Sequence, residues 1–182
     1  MIRGYSVGCT TPRNMDRKKV PGKKFHVSVA GRTNGAHKTY VNDLKGLGQI
    51  EVNSPEQSDY LVLLCPIASR VGTDIKEAMD KIPGGKPIVL VVMHHTFNKD
   101  HFVSESRRFV ENPDVIVIVD VLFHESKMLI CNRNDTAWFQ VKDVLVVSSW
   151  HSFWRKQPTM IITGIVVSVS AVIVLYLVVR YA

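Results

Sequence analysis

The stretch PIVLVVM, residues 87–93, decides the fold class of this chain. Two more continuous apolar runs accompany it, LVLLCPI at 61–67 and VIVIVDV at 115–121. Runs rich in Val, Ile and Leu, with no polar residue at every second position, are typical of parallel strands covered on both faces. We therefore expect all three runs to be central strands, with Val89 and Ile118 buried in them.

Weaker strands and amphipathic helices alternate with these runs. The pattern predicts three further strands, at 25–30, 49–52 and 127–131, the last of them an antiparallel edge strand. It predicts four helices with one apolar face, at 36–47, 73–82, 101–111 and 135–149. This alternation indicates a three-layer α/β sandwich with a mostly parallel sheet, for which we expect the flavodoxin-like strand order 2-1-3-4-5.

A second apolar feature, MIITGIVVSVSAVIVLYLVV at residues 160–179, contains no charged residue. At about 1.5 Å per residue such a helix is about 30 Å long, which matches the hydrocarbon core of a bilayer. Trp154, Arg155 and Lys156 precede it and only Arg180, Tyr181 and Ala182 follow, so the positive-inside tendency predicts a cytosolic N-terminal side. We expect a single-pass, tail-anchored protein of the endoplasmic reticulum or downstream membranes, rather than of the mitochondrial outer membrane.

Net charge separates a basic N-terminal segment from the rest of the chain. Residues 1–24 carry seven cations against one carboxylate, a net charge of +6 out of +7 for the whole chain. We expect this segment to be a disordered basic leader, and no nucleic-acid partner, because its only aromatic residue is Tyr5. The predicted organisation is then a leader (1–24), a cytosolic α/β domain (25–150), a juxtamembrane segment (151–159), the span (160–179) and a short tail (180–182). Three cysteines do not suggest a disulfide framework.

Ligands of open parallel sheets bind beyond the carboxyl ends of the strands. In this chain those ends lead into the loops 31–35, 66–73 and 94–98. The candidate ligand residues in these loops are Gly31, Arg32, Asn34, Ser69, Arg70, Thr73, His94 and His95.

Two familiar kinds of site are disfavoured by the spacing of these residues. The loop AGRTNGAHKT lacks the Gly-Lys-Ser/Thr spacing of a phosphate-binding loop, because Ala36 and His37 separate Gly35 from Lys38. The adjacent His94 and His95 should point in different directions on a strand, which argues against a zinc site. A pairing of Cys65 with either histidine is conceivable, but the position of Cys65 inside an apolar run favours a core thiol. We expect neither a metal nor a cofactor.

The segment SRVGTDIKEAMDKIPGGKPIVLVV resembles the nucleoside 2-deoxyribosyltransferase group and the related Toll/interleukin-receptor-like domains that cleave NAD. The shared features are Gly72-Thr73 at a helix start, Glu77 one turn later and Gly85-Lys86-Pro87 before the next strand, and VSVAG at 27–31 is similar to that group's first strand. The resemblance implies that Glu77 acts at an N-glycosidic bond. The acidic residue that the group has near the first loop is replaced here by Arg-Thr-Asn. A surface glutamate between Lys76 and Lys81 is the simpler interpretation.

The blocks CPIASRVGTDI, VVMHHTF and VDVLFHE are also similar to those of a multigene vertebrate family of small α/β proteins. That resemblance implies the limits of the domain and no activity.

Two hypotheses follow for the function. The first is a membrane-tethered, non-enzymatic interaction or signalling module whose partners are the lipid bilayer and another protein or a second copy of the chain. The alternative is a nucleotide-handling N-glycosidase or NAD-cleaving enzyme that uses Glu77, with Ser69, Arg70 and Thr73 near the substrate.

Overall fold

The computed structural model describes residues 18–155, and describes side chains as far as residue 145. Within this range the chain forms six strands and three α-helices. The strands are β1 (Lys24–Val29), β2 (Ile50–Glu51), β3 (Tyr60–Pro66), β4 (Ile88–His95), β5 (Val115–His124) and β6 (Lys127–Met128). The helices are α1 (His37–Gly46), α2 (Val71–Met79) and α3 (Asn132–Arg155).

The strands form one sheet in the order β2-β1-β3-β4-β5-β6. Neighbouring strands from β2 to β5 are parallel, and β6 pairs antiparallel with β5 at the edge. The predicted α/β class with a mostly parallel sheet is therefore confirmed, and the first five strands follow the expected order. The apolar runs occupy β3, β4 and β5, the three strands with the longest pairings.

Helices on both faces explain why the central strands are apolar throughout. α1 and α3 pack on one face, where Tyr40, Leu44 and Val141 meet side chains of all the longer strands. α2 packs on the other face through Ile75 and Ala78. β4 lies between the two clusters, and residues 88–93 in it are completely buried. The burial of Val89 is as predicted.

The β4–β5 connection, residues 96–114, departs from the prediction. The helix expected at 101–111 is wrong, because this segment contains only a short 3₁₀ turn, Ser106–Phe109. Ser106 explains the difference, since its backbone N–H donates to Asp120 Oδ2 (3.0 Å) and its hydroxyl to Asp120 Oδ1 (2.6 Å). A serine whose backbone and hydroxyl both bond to a strand cannot also take part in a regular helix.

This missing helix leaves one face of β5 thinly covered. Ile118, expected to be buried, is only half-buried. Ile118 and Val110, which belongs to the β4–β5 connection, are both partly buried at the margin of the α2 cluster. The second helical layer therefore consists of α2 and an irregular segment.

The outer parts of the predicted organisation fall mostly outside the described residues. Of the predicted leader, residues 1–17 are not described, whereas Val20 is buried in the core beside α1 and Lys24 opens β1. No helix within residues 18–155 has the length and apolar character needed to cross a membrane. The predicted span, 160–179, and the tail, 180–182, lie outside the described residues.

Candidate functional site

The candidate ligand residues lie at the carboxyl edge of the sheet, where β1, β3 and β4 end. The strand order reverses between β1 and β3, because β2 lies outside β1 and the chain then continues on the other side with β3. Ligands of open parallel sheets bind in the crevice at such a reversal. Two cavities open at this edge, and they divide the predicted residues between them.

The first cavity, of about 330 Å³, lies at the reversal itself. Gly31, Arg32 and Asn34 reach it from the β1–α1 loop, Glu77 from α2, and His95 from the end of β4. Its volume is at the lower end of the range of small-molecule sites. The fold thus places a guanidinium, an amide, an imidazole and a carboxylate around one space.

Backbone geometry shapes the wall of the first cavity. Asn34 and Gly35 both have a positive φ, +51° and +90°, which turns the chain sharply from β1 into α1. Gly31 lies so close to Pro66 that an added Cβ would be 2.9 Å from the Pro66 Cγ. A side chain at position 31 would therefore push the β1–α1 loop away from the β3–α2 loop.

Asp74 holds the β3–α2 loop in place. Its carboxylate accepts hydrogen bonds from the backbone N–H of Ala68, the backbone N–H of Ser69 and the Ser69 hydroxyl, each at 2.8 Å. Partial burial alone would raise the pKa of the Asp74 carboxyl, but the bonds from Ser69 and Ala68 hold it below its usual value. This carboxylate lines the first cavity, yet three of its roughly four acceptor positions are occupied by the loop.

Glu77 follows Asp74 by one turn of α2 and has a different environment. Its side chain is exposed and lines the first cavity. It makes no hydrogen bond or ion pair with another described residue. The carboxylate can therefore reach a ligand in the cavity, but no neighbouring group fixes its orientation.

Cys65 also borders the first cavity, from within β3. It is buried, and burial together with the nearby Asp74 carboxylate raises the pKa of its thiol to about 11. A thiol with a raised pKa carries little thiolate at neutral pH and is a poor nucleophile. Its environment is that of a core thiol.

The second cavity, of about 730 Å³, lies on the other side of α2. Ser69, Arg70 and Thr73 line it, and so does His94 from β4. The residues that were expected to accompany Glu77 in an enzyme site thus border a different cavity from Glu77 itself.

The remaining lining of the second cavity comes mainly from the β4–β5 connection, with His101, Phe102, Arg108 and Phe109. The sequence reasoning missed these four residues because it assigned them to a regular helix. The signal was the presence of basic residues next to a phenylalanine at both ends of the segment, His101-Phe102 and Arg108-Phe109, with Ser104 and Ser106 between them.

His94, Asp120 and Ser106 form a largely buried polar cluster next to the second cavity, which His94 lines. The His94 Nε2 donates to Asp120 Oδ1 at 2.8 Å, and Ser106 donates to the same carboxylate. Burial alone would raise the pKa of Asp120, but the bonds from His94 and Ser106 hold it below its usual value. Although Ser, His and Asp are all present, the serine hydroxyl bonds to the carboxylate and is fully buried, so it is not activated as a nucleophile. The cluster clamps the β4–β5 connection to the sheet.

The two adjacent histidines point to opposite faces, as strand geometry predicts. His94 lines the second cavity, whereas His95 lines the first and packs edge-on against Phe123, with ring centroids 5.2 Å apart. Among residues 18–155 no group of three or more His, Cys, Asp or Glu side chains is arranged to hold a metal ion.

In comparisons with protein-family models, with curated proteins and with solved structures, nothing matches this chain.

Proposed function

We propose that this chain is a membrane-tethered protein whose α/β domain works in the cytosol as a non-enzymatic interaction or signalling module. Its partner is another protein or a second copy of the chain. The observation that carries the proposal is the aromatic surface of the β4–β5 connection, where Phe97 and Phe102 are 81% and 82% exposed. Phe109 in the same segment is also exposed. Large apolar side chains exposed together in one segment are typical of interaction surfaces.

The direction of α3 supports this arrangement. Asn134, near the start of α3, bonds to both backbone groups of Leu122 near the carboxyl end of β5, and α3 packs along β5. α3 therefore runs toward the opposite edge of the sheet. Because the proposed span at 160–179 follows α3 in the chain, we expect the carboxyl edge, with both cavities and the exposed phenylalanines, to face away from the bilayer.

The test is self-association and partner capture by the full chain in lipid nanodiscs or native membranes. We expect fluorescence energy transfer between two differently labelled populations of the chain, or reproducible cross-linking to one partner protein. Phe97→Ser should abolish whichever of these two signals the wild type gives. Phe139→Ser is the matched control, because Phe139 is also largely exposed (67%) but lies on α3. Absence of any association in the wild type, or equal loss in both variants, would contradict the proposal.

A second candidate function is cleavage of an N-glycosidic bond in NAD or a nucleoside. The observation that favours it is the place of Glu77 in the first cavity, at the strand-order reversal, which Arg32 and Asn34 also line. A carboxylate there is suited to attack the anomeric carbon, or to stabilise its oxocarbenium-like charge, while the base departs. This candidate ranks second because no hydrogen bond from a described residue orients Glu77, and catalytic groups are normally held by their neighbours.

Base release from NAD and from common nucleosides, followed by chromatography, distinguishes the two candidates. An enzyme should lose turnover in Glu77→Gln, which removes the charge and keeps the size of the side chain. Glu111→Gln is the control, because Glu111 is exposed and lines neither cavity. Release by the wild type and by Glu111→Gln, but not by Glu77→Gln, would replace the first proposal with the second. No release by the wild type would exclude the enzyme for these substrates.

A further inference from the structure

The second cavity has a basic lining, and no described acidic residue pairs with its two arginines. Arg70 and Arg108 both border it, and His101 adds a third basic side chain. Within the part of the chain that the structure describes, no Asp or Glu lines the cavity. Neither guanidinium forms an ion pair with a described residue, since the described pairs are Lys45–Glu51 and His94–Asp120. Two unpaired guanidinium groups on one concave surface favour an anion, and phosphate suits their planar, forked geometry.

Two phenylalanine rings line the second cavity, one packed against α2 and the other exposed to solvent. Phe109 is held in place, because its ring packs against Gly72, where an added Cβ would be 3.1 Å from the Phe109 Cδ1. The Arg108 guanidinium lies over this ring, 4.8 Å from its centroid. The Phe102 ring borders the cavity and is 82% exposed, so one face is available for stacking. One ring thus orients a cation and the other is open to a planar ligand.

Fixed groups form the rest of the cavity wall. His94 is held by Asp120, whose other bonds come from Ser106, so the polar floor is already satisfied. The first turn of α2 supplies another wall, and this helix has no side-chain cap at its start. The volume of about 730 Å³ falls within the range of small-molecule sites.

We propose that the second cavity binds a phosphorylated nucleoside. The phosphate lies between Arg70 and Arg108, and the base stacks on the open face of Phe102. Guanidinium groups bind phosphate through charge-assisted hydrogen bonds, and bases stack on aromatic side chains with little regard for sequence. This site is separate from Glu77, and although it shares Phe102 with the proposed interaction surface it does not depend on either function proposed above.

The probe is adenosine monophosphate, titrated calorimetrically into the full chain in detergent or nanodiscs. Adenosine tests the contribution of the phosphate, and ribose 5-phosphate tests that of the ring. Arg70→Gln and Arg108→Gln remove one guanidinium each, with Arg107→Gln as the matched control, since Arg107 is adjacent and exposed but does not line the cavity. Phe102→Ala removes the open ring, with Phe139→Ala as its control, since Phe139 is also largely exposed (67%) but lies on α3, outside the cavity.

We expect saturable binding of adenosine monophosphate, and affinities lower by about tenfold or more for adenosine, for ribose 5-phosphate and for the three cavity variants. The two controls should remain within about twofold of the wild type, because charge or apolar surface outside the cavity adds little. The comparison of the three ligands on the wild-type chain tests the proposal even if a variant fails to fold.

Three results would overturn the site. The first is no saturable binding at millimolar adenosine monophosphate. The second is equal weakening by Arg107→Gln and Arg108→Gln, which would indicate nonspecific attraction to a basic surface. The third is equal affinity for adenosine and its monophosphate, which would exclude a role for the phosphate.

Discussion

At the level of single residues, two buried tyrosines show how a hydroxyl group can either stabilise or destabilise the same core. The Tyr60 hydroxyl donates to Gln49 Oε1 at 3.0 Å, whereas the Tyr40 hydroxyl has no hydrogen-bond partner among the described residues. Burial raises the pKa of both phenols, so both stay neutral. Tyr40 nevertheless packs well as a ring, edge-on to Trp138 with centroids 5.3 Å apart.

We therefore predict opposite effects of the same substitution at these two positions. Tyr60→Phe should lower the free energy of unfolding by about 1 kcal/mol, because the Gln49 side chain loses its partner. Tyr40→Phe should leave stability unchanged or raise it by up to about 1 kcal/mol, because it removes an unsatisfied polar group. Urea unfolding of residues 1–157 measures both. A loss of stability in Tyr40→Phe as large as that in Tyr60→Phe would show that the Tyr40 hydroxyl has a partner.

Asp120 gives the domain a pH dependence of known sign. Its folded-state pKa is lowered because the ionised carboxylate accepts bonds from His94 and Ser106, which outweigh the effect of burial. A group whose pKa is lower in the folded state adds stability above its unfolded pKa, and that stability is lost as the pH falls through the folded pKa. The ordinary pKa of an aspartate is about 3.9, so we expect the loss to occur below about pH 4.

Thermal unfolding of wild type and Asp120→Asn between pH 7 and pH 3 tests this expectation. Asn cannot ionise, so the variant should be less stable at pH 7 and should lose less stability on acidification. Some acid sensitivity should remain, because the pKa of Asp74 is also held below its usual value by the bonds from Ser69 and Ala68. Parallel curves for the two proteins would mean that Asp120 does not bind its partners in the ionised form.

At the level of secondary-structure elements, the sequence predicts the strands well and the β4–β5 connection badly. Burial on both faces leaves an unbroken apolar run, and β3, β4 and β5 each begin within one residue of the predicted position. The β4–β5 connection has helix-like apolar spacing, but Asp120 lies in the next strand and binds Ser106. A contact between residues 14 positions apart leaves no periodic trace in the sequence.

The irregular connection has a measurable consequence for core packing. Leu90 and Ile118 are cross-strand partners in β4 and β5 and belong to the same face of the sheet. Leu90 is fully buried, so Leu90→Ala should cost about 2–5 kcal/mol of unfolding free energy. Ile118→Ala should cost clearly less, because solvent already reaches this half-buried side chain. Equal costs, measured by urea unfolding, would mean that the β4–β5 connection covers β5 as tightly as a helix would.

At the level of the whole molecule, the general position of the candidate site is predictable and its division into two cavities is not. Parallel strands carry all their carboxyl ends to one edge, which is why the loops after β1, β3 and β4 come together. The side of α2 on which each residue lies depends on details that loop composition does not reveal. Ser69, Arg70 and Thr73 at the start of α2 border one cavity, and Glu77, one turn later, borders the other.

The orientation of the whole chain in a membrane is the remaining prediction, and Asn134 makes it testable. Asn134-Asp135-Thr136 is a glycosylation sequon, but the Asn134 amide donates to the carbonyl oxygens of Leu122 and Leu129, and its Oδ1 accepts from the Leu122 N–H. A glycan on this nitrogen would break the bonds that fix the start of α3. In the proposed orientation Asn134 is also on the cytosolic side, so we predict that it stays unmodified in cells and that a glycosylation tag placed after Ala182 is modified.

Two variants test the span that this orientation requires. Removal of residues 158–182 should release a folded domain from membranes, because the described core residues, from Val20 to Leu145, all lie outside the deleted segment. Val169→Arg should weaken insertion, since an arginine at the centre of a span costs about 2.5–3.5 kcal/mol on insertion scales. Alkaline carbonate extraction separates inserted from released protein. Full membrane retention of the truncated chain would show that the predicted span is wrong. A glycan on Asn134 would show that the predicted orientation is wrong, and the carboxyl edge of the sheet would then not be confined to the cytosol.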